Sequence, residues 1–238
     1  MPQIEVSVVI PTYNEREGLE SLVDRVCAQF REAGVQGQVV IVDDNSPDGT
    51  GDLAESLKSR YPVMVVHRAG KLGLSSAVVE GFRAAEGDIL GVMDADGSHD
   101  VAVIPALIRA IRDDGNELAV GSRYIRGGGI RDWPLHRVII SRVAVLMATP
   151  LTRVKDITSG FFFFQRRIID GVHLNPIGFK IGLEVFVKAR YSRFCEVPYT
   201  FTDRVQGKSK LSGKVIWQYL LQLCNLIAYR ISTLCCRC

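Results

Sequence analysis

The sequence predicts an α/β fold with a mostly parallel sheet covered by helices on both faces. Three observations carry that reading. Short apolar, β-branched runs recur along the first half of the chain, segments with helical periodicity separate them, and each run ends in a cluster of polar residues and turn formers. Residues 6–10 (VSVVI) form the first strand, ended by Pro11. Over 16–33, Leu19, Leu22, Val23, Val26 and Phe30 repeat at helical spacing, and Gly34 closes that helix. Residues 39–42 form the second strand and run into DDNSPDGT. A helix over 52–58, a strand over 63–66, a helix over 75–85 and a strand over 89–93 follow, and DADGSHD comes directly after the last. A helix over 107–111 and a strand over 118–120 complete this regular half. In such sheets ligands bind beyond the carboxyl ends of the strands. The polar clusters at 11–15, 43–50, 94–100 and 121–126 all fall there, which marks that edge as the site.

The second half is less regular. GSRYIRGGGIRDWP reads as a mobile loop, because three successive glycines restrain the backbone little. A helix is expected over 138–147, a strand in ITSGFFFFQ, a helix over 180–190 and a strand over 195–201.

Composition narrows the function classes. With 47% hydrophobic and 23% charged residues the chain has material for a core, which excludes disorder. A net charge of +3 is too small to argue for nucleic acid as a partner. The distribution of charge says more: no acidic residue follows Asp203, whereas Arg204, Lys208, Lys210, Lys214, Arg230 and Arg237 are all basic. Such an end suits an anionic surface or ligand. Cys27, Cys195 and Cys224 are isolated, no pair of C-x-x-C motifs occurs at zinc-site spacing, and reduced thiols are expected. The terminal CCRC lacks the C-a-a-X form of a prenylation signal, and the first residues lead into a strand rather than a secretory leader.

The chemistry-bearing residues sit at the strand ends. Asp94 and Asp96 alternate after a buried strand, so both carboxylates can converge on one hard cation, with diphosphate oxygens completing the shell. Asp43 and Asp44 end the second strand, where a carboxylate can accept hydrogen bonds from a base or ribose, while Asp48 and Thr50 read as turn and cap residues. PTYNEREG after the first strand lacks the dinucleotide-binding glycines, and neither a Walker A loop nor a G-x-S-x-G elbow is present. His99 and His136 have no partner at metal-site spacing and read as surface or capping residues. Arg123, Arg126, Arg131, Arg137, Arg204, Lys208 and Lys210 provide the cations a phosphate-rich reaction needs.

Seven segments occur in the order typical of one family: VVIPTYNE, VDDNSPDGT, DADGSHD, GSRY, W-P-x-x-R-x-x-I-S, D-x-x-S-G-F and R-x-x-G-x-S-K, spanning residues 8–210. Together they resemble glycosyltransferase family 2 and, within it, the dolichol-phosphate mannose synthases. The resemblance implies a GT-A fold and an inverting transfer of mannose from GDP-mannose to dolichyl or another polyprenyl phosphate, with Mg2+ or Mn2+ as cofactor. It implies that Pro11, Tyr13 and Glu15 line the nucleotide pocket with Asp43 near the base. Asp94 and Asp96 would hold the metal and donor diphosphate, and Ala95 would touch the donor through its backbone. Arg123, Arg137 and Ser141 would receive the acceptor phosphate, and Arg204 and Lys210 would close over the donor. Many prokaryotic relatives carry D-A-D-L-Q-H-P, so Ser98 stands where a glutamine metal ligand is found, and Asp100 replaces proline. Without Q-x-x-R-W a single transfer is expected rather than processive synthesis. A phosphate acceptor is already anionic and needs no base, although Glu184 stands as a remote candidate. Another polyprenyl-phosphate hexosyltransferase, or a silent nucleotide-sugar-binding subunit, are the alternative readings.

Residues 1–213 are expected to form the catalytic domain and 214–238 a C-terminal amphipathic helix. The apolar stretch is marginal for a span, which takes about 20 apolar residues. Gln218, Gln222, Asn225, Tyr229 and Ser232 form a narrow polar stripe on it. With Trp217, Tyr219 and basic neighbours, this reads as a helix lying on the cytoplasmic face of a membrane. Relatives often continue into transmembrane helices; here the interface helix, a membrane-anchoring partner subunit or further chain takes that place.

Overall fold

The computed structural model describes residues 3–131, 133–202 and 213–235. The strands are β1 (Val6–Thr12), β2 (Gly37–Asp43), β3 (Val63–His67), β4 (Ile89–Val92), β5 (Leu118–Ser122), β6 (Gly129–Arg131), β7 (Phe162–Gln165), β8 (Phe194–Pro198) and β9 (Thr200–Thr202). The helices are α1 (Arg16–Ala33), α2 (Thr50–Leu57), α3 (Leu74–Ala84), α4 (Ile104–Arg112), α5 (Leu135–Ala148), α6 (Ile181–Lys188) and α7 (Gly213–Cys235). Seven strands form the main sheet in the order β3-β2-β1-β4-β7-β5-β8. All its pairings are parallel except those of β7, which runs antiparallel to both β4 and β5.

Alternation along the strands feeds two cores. Val6, Val8 and Ile10 face a layer containing Leu19, Val26, Ile104 and Ile108, while Val9 faces one containing Val78, Phe82, Val185 and Leu226. The phenylalanine run has the same logic. Phe161 and Phe163 enter the first core and Phe162 and Phe164 the second, so the segment is apolar throughout because both of its faces are buried. Gly91 lies opposite Phe163 on β4, and a Cβ there would come 2.5 Å from the ring.

Two expectations are corrected. The glycine-rich stretch contains β6, which pairs parallel with β9 through Ile130 and Phe201. Gly128 starts this course by passing so close to Ser122 O that an added Cβ would lie 2.4 Å away. The strand expected over 195–201 is broken at Tyr199, whose N–H donates to Ser122 O at 3.1 Å and whose carbonyl accepts from Gly129 N at 3.1 Å. The chain thereby leaves the main sheet for the small ribbon. At the C-terminus, α7 is laid on the body, with Leu223 and Leu226 buried in the second core.

Candidate active site

The carboxyl ends of β1 and β2 are stitched together by their own loops. Asn14 N–H donates to Ser46 Oγ at 3.0 Å, Glu15 N–H to Thr50 Oγ1 at 3.0 Å and Arg16 N–H to Asp48 Oδ2 at 3.3 Å. Asn14 takes a left-handed conformation, φ 59°, at this corner. Asp48 accepts from Thr50 N–H and Oγ1, the turn chemistry expected of that pair. The structure separates the roles of the two adjoining aspartates. Asp44 is buried against Arg68 and accepts from Gly73 N–H at 3.0 Å, so it ties β2 to the loop before α3. Asp43 accepts from Thr12 Oγ1 at 3.1 Å and from Ser46 N–H at 2.9 Å, at the same edge as Pro11 and Tyr13. Lys71 stands over the Tyr13 ring at 3.8 Å.

After β4, Asp96 Oδ1 accepts from both Ser98 N–H, at 3.1 Å, and Ser98 Oγ, at 2.5 Å. The Ser98 hydroxyl proton is thus given to Asp96, which it orients. Asp94 N–H donates to His99 Nδ1 at 3.1 Å, which leaves the imidazole proton on Nε2. His99 is not a surface residue, as expected, but is buried, stacked on Phe161 and edged by Tyr199 and Phe201. Burial lowers its pKa against the opposing pull of Asp94 and Asp96, favouring the neutral ring. Gly160 packs against this turn, where a Cβ would make ordinary contact with Asp94 Oδ2 and His99 Cε1, each at 3.6 Å. Among the described residues no three His, Cys, Asp or Glu side chains gather to hold a metal. Asp94 and Asp96, two carboxylates in one turn, suit a hard cation that arrives with phosphate oxygens and water in its shell, and would not make an all-protein cage.

Arg123 follows β5 and is almost wholly buried. Its N–H and Nε donate to Asp156 Oδ2 at 2.9 and 2.8 Å, and Nη2 donates to Asp156 Oδ1 at 2.7 Å and Thr158 Oγ1 at 2.8 Å. Burial alone would lower the guanidinium pKa, but the Asp156 bonds outweigh it and raise the value. Arg137 stacks on Trp133 at 4.5 Å, and Ser141 shares a hydrogen bond with Tyr124 at 2.8 Å. Glu184, the remote candidate base, is buried in α6, bonded to Asn175 N–H at 2.9 Å and paired with Lys188. It is structural and takes no part in the wall of the site.

Some of these groups line a cavity of about 370 Å³. Asp94, Arg123, Arg137 and Ser141 are among its polar lining residues, and Ile140, Val143, Met147, Ile216 and Leu220 among its apolar ones. Beyond it, α5 and α7 present apolar side chains to the exterior: Leu135 is 74% exposed, Leu146 72% and Trp217 63%. Helix α7 carries apolar residues on both its inner and its outer side, Leu223 and Leu226 being buried. Of the expected polar stripe, Gln222 points inward and donates to Lys180 O at 3.1 Å. Tyr219 OH donates to Ala144 O at 2.6 Å. Trp217, Leu221, Ile227 and Ile231 are exposed instead. No described helix is long and apolar enough to cross a membrane.

The model of the family described as "Glycosyl transferase family 2" matches residues 7–172. This chain belongs to glycosyl transferase family 2. It is 47% identical to the dolichol-phosphate mannosyltransferase of Pyrococcus furiosus, over 95% of this chain and 64% of that protein. Identity to the dolichol-phosphate mannosyltransferase of Saccharomyces cerevisiae is 40%, over 95% of this chain and 88% of the relative. A polyprenol monophosphomannose synthase of Mycolicibacterium smegmatis is 38% identical, over 93% and 86%. The fold is GT-A. It matches glucosyl-3-phosphoglycerate synthase of Mycobacterium tuberculosis, crystallised with Mn2+, UDP and glucosyl-3-phosphoglycerate, at a TM-score of 0.67 and 18% identity over 93% of this chain and 80% of that one. A mannosyltransferase of Pyrobaculum calidifontis, in complex with GDP-Man and Mn2+, matches with a TM-score of 0.64 and 18% identity, over 97% and 65%.

In this family 2 glycosyltransferase the expected residues fall into two groups on one sheet edge. Pro11, Tyr13, Glu15 and Asp43 stand at the ends of β1 and β2; Asp94, Arg123, Arg137 and Ser141 line the cavity, with Ala95, Asp96 and Ser98 in the turn beside it. Arg204 and Lys210 lie outside the described residues. Sequence reasoning assigned no role to Asp156, Lys180 or Tyr199, and only a surface or capping one to His99. Asp156 stood inside D-x-x-S-G-F, but nothing local announces a partner 33 residues away.

Proposed function

We propose that this chain transfers mannose from GDP-mannose to dolichyl or another polyprenyl phosphate at the cytoplasmic face of a membrane, giving polyprenyl-phosphate mannose and GDP. The observation that carries the reading is the cavity: its lining combines Asp94 and Arg123 at strand ends and Arg137 of α5 with apolar side chains of α5 and α7, helices that also carry an exposed apolar surface. A phosphate on a long hydrocarbon chain needs both kinds of lining, and the mannosyltransferases among the relatives name the sugar.

Pro11, Tyr13, Glu15 and Asp43 receive the nucleoside on the β1–β2 side, and Asp94 and Asp96 hold the diphosphate through Mg2+ or Mn2+. Bound there, the cation stabilises negative charge developing on the departing diphosphate. Ser98 keeps Asp96 pointed at that position. Arg137 and Ser141 orient the lipid phosphate from α5, and Arg123, locked by Asp156, sets the charge of the inner wall. An acceptor oxygen bonds to C1 of mannose from the face opposite the diphosphate while the C1–O bond breaks, and GDP leaves with that electron pair. The phosphate monoester is largely dianionic near neutral pH, its second pKa being about 6, so positioning replaces deprotonation. Arg204 and Lys210 complete the donor site, and a membrane-anchoring partner subunit would reinforce the surface of α5 and α7.

The test offers a panel of radiolabelled nucleotide sugars with polyprenyl phosphate in liposomes. Label is expected in the lipid fraction from GDP-mannose alone, lost on chelation and restored by Mn2+ or Mg2+. Transfer only from another nucleotide sugar would overturn the mannose assignment, and transfer indifferent to chelation the metal.

A further inference from the structure

We infer that Lys180 is a direct ligand of the lipid phosphate and that α7 holds it in place through Gln222; the inference rests on the acceptor reading of the cavity. Lys180 sits just ahead of α6 and is among the polar residues lining the cavity. Its Nζ donates to Thr158 O at 2.9 Å, its one hydrogen bond among the described residues, and lies over the Phe179 ring at 4.9 Å. An ammonium carries three donors, so two are left for a ligand. Arg123 is less available, because Nε and Nη2 are committed to Asp156 and Thr158 and a buried carboxylate balances its charge.

Two more donors line the same cavity. The Tyr199 hydroxyl is buried, with the residue only 3% exposed and Ser159 as its near polar neighbour, and Trp133 Nε1 has no hydrogen-bond partner among the described residues. Buried donors without acceptors cost stability. These two donors and the spare donors of Lys180 around one polar space are what a multiply bonded oxyanion would satisfy. The apolar walls say which oxyanion. Tyr13 and Asp43, on the nucleotide side, do not line this cavity, whereas Ile140, Val143, Met147 and Leu220 lead from it to the outside. The ligand is a phosphate with an apolar chain.

Lys180 is also where the outer helix meets the site. Its carbonyl accepts from Leu183 N–H at 3.1 Å and from Gln222 Nε2 at 3.1 Å. Gln222 lies on the inward side of α7, opposite the exposed Trp217 and Ile231. Gln222 is thus a positioning residue, through which seating of α7 fixes the lysine. Burial and the neighbouring Arg123 pull the ammonium pKa down to about 8, and an arriving phosphate would restore its charge.

The experiment titrates a short-chain prenyl phosphate, the matching prenyl alcohol and GDP into the full chain and into Lys180→Met and Gln222→Glu. Lys180→Met should weaken prenyl phosphate binding about tenfold or more, the loss of a charge-assisted hydrogen bond, with alcohol and GDP binding unchanged. Gln222→Glu keeps the shape but loses the donor to Lys180 O, and should weaken the same ligand in the same selective way. The Lys180→Met thermal midpoint should not fall, because a buried cation is removed. Should that variant fail to fold, Lys180→Gln is read by the same criteria. Unchanged prenyl phosphate affinity, or an equal loss for GDP, would overturn the assignment. Binding is read without turnover, so if the wild type binds prenyl phosphate through Lys180 but transfers no mannose, the functional reading fails while this one stands.

Discussion

At Asp96 the carboxylate is held from one side by Ser98, through both N–H and Oγ. Asp96→Asn keeps the volume and can keep those contacts, but removes a charge from the proposed cation site. Transfer is expected to be nearly abolished over a range of Mn2+ concentrations while the thermal midpoint stays close to wild type. Normal turnover would remove the metal role. Asp156 is the contrasting residue. It is fully buried and lies against Arg123 in a bidentate pair. Asp156→Ala leaves a buried guanidinium without its counter-ion, a change that costs about 3–5 kcal/mol. Urea unfolding of the two proteins measures this, and a loss below about 1 kcal/mol would mean that solvent reaches Arg123.

Helix α7 serves two neighbours at once. Leu223 and Leu226 fill the second core, Tyr219 and Gln222 bond to Ala144 O and Lys180 O, and Trp217, Leu221, Ile227 and Ile231 remain outside. Removing the helix would therefore open the core and the cavity, so truncation cannot isolate a membrane contact. Substitution on the outer side can. Trp217→Ser with Ile231→Ser should release the protein from liposomes while leaving the fold and GDP binding intact, because neither side chain is in the core. Each large apolar side chain contributes at most about 1.5–3 kcal/mol on full burial, so the pair is enough to shift co-sedimentation strongly. If the double variant sediments like wild type, the contact belongs to α5, where Leu135, Ile139, Val143 and Leu146 are the exposed set.

For the whole molecule, the site combines groups whose charges are costly to bury. Lys180 faces Arg123, Asp156 and Asp94, and its pKa falls to about 8 from an ordinary 10.5. Between those values the unfolded chain binds more protons than the folded one, so the lysine's contribution to stability rises with pH across that window. The thermal midpoint of Lys180→Met should exceed that of wild type near pH 7.5, with the gap closing toward pH 10.5. Other groups titrate equally in both proteins and cancel in the difference. A gap independent of pH would mean that Lys180 is not held as a penalised cation.

The sequence by itself determined the alternation of strands and helices, the edge of the sheet that carries the site, and most residues on that edge. Those features are local: a strand's periodicity and the polar cluster that ends it lie within about ten residues of each other. Tertiary structure alone decided the rest. It inserted β7 antiparallel between β4 and β5, which explains a four-phenylalanine run that no single buried face requires. It turned an expected glycine loop into a paired ribbon, because β6 finds its partner in β9 about 70 residues later. It also paired Arg123 with Asp156, brought Lys180 and Tyr199 to one cavity, and turned Gln222 inward. Each depends on contacts between segments far apart in the chain, and a polar stripe on a helix looks the same in sequence whether water or a protein carbonyl satisfies it.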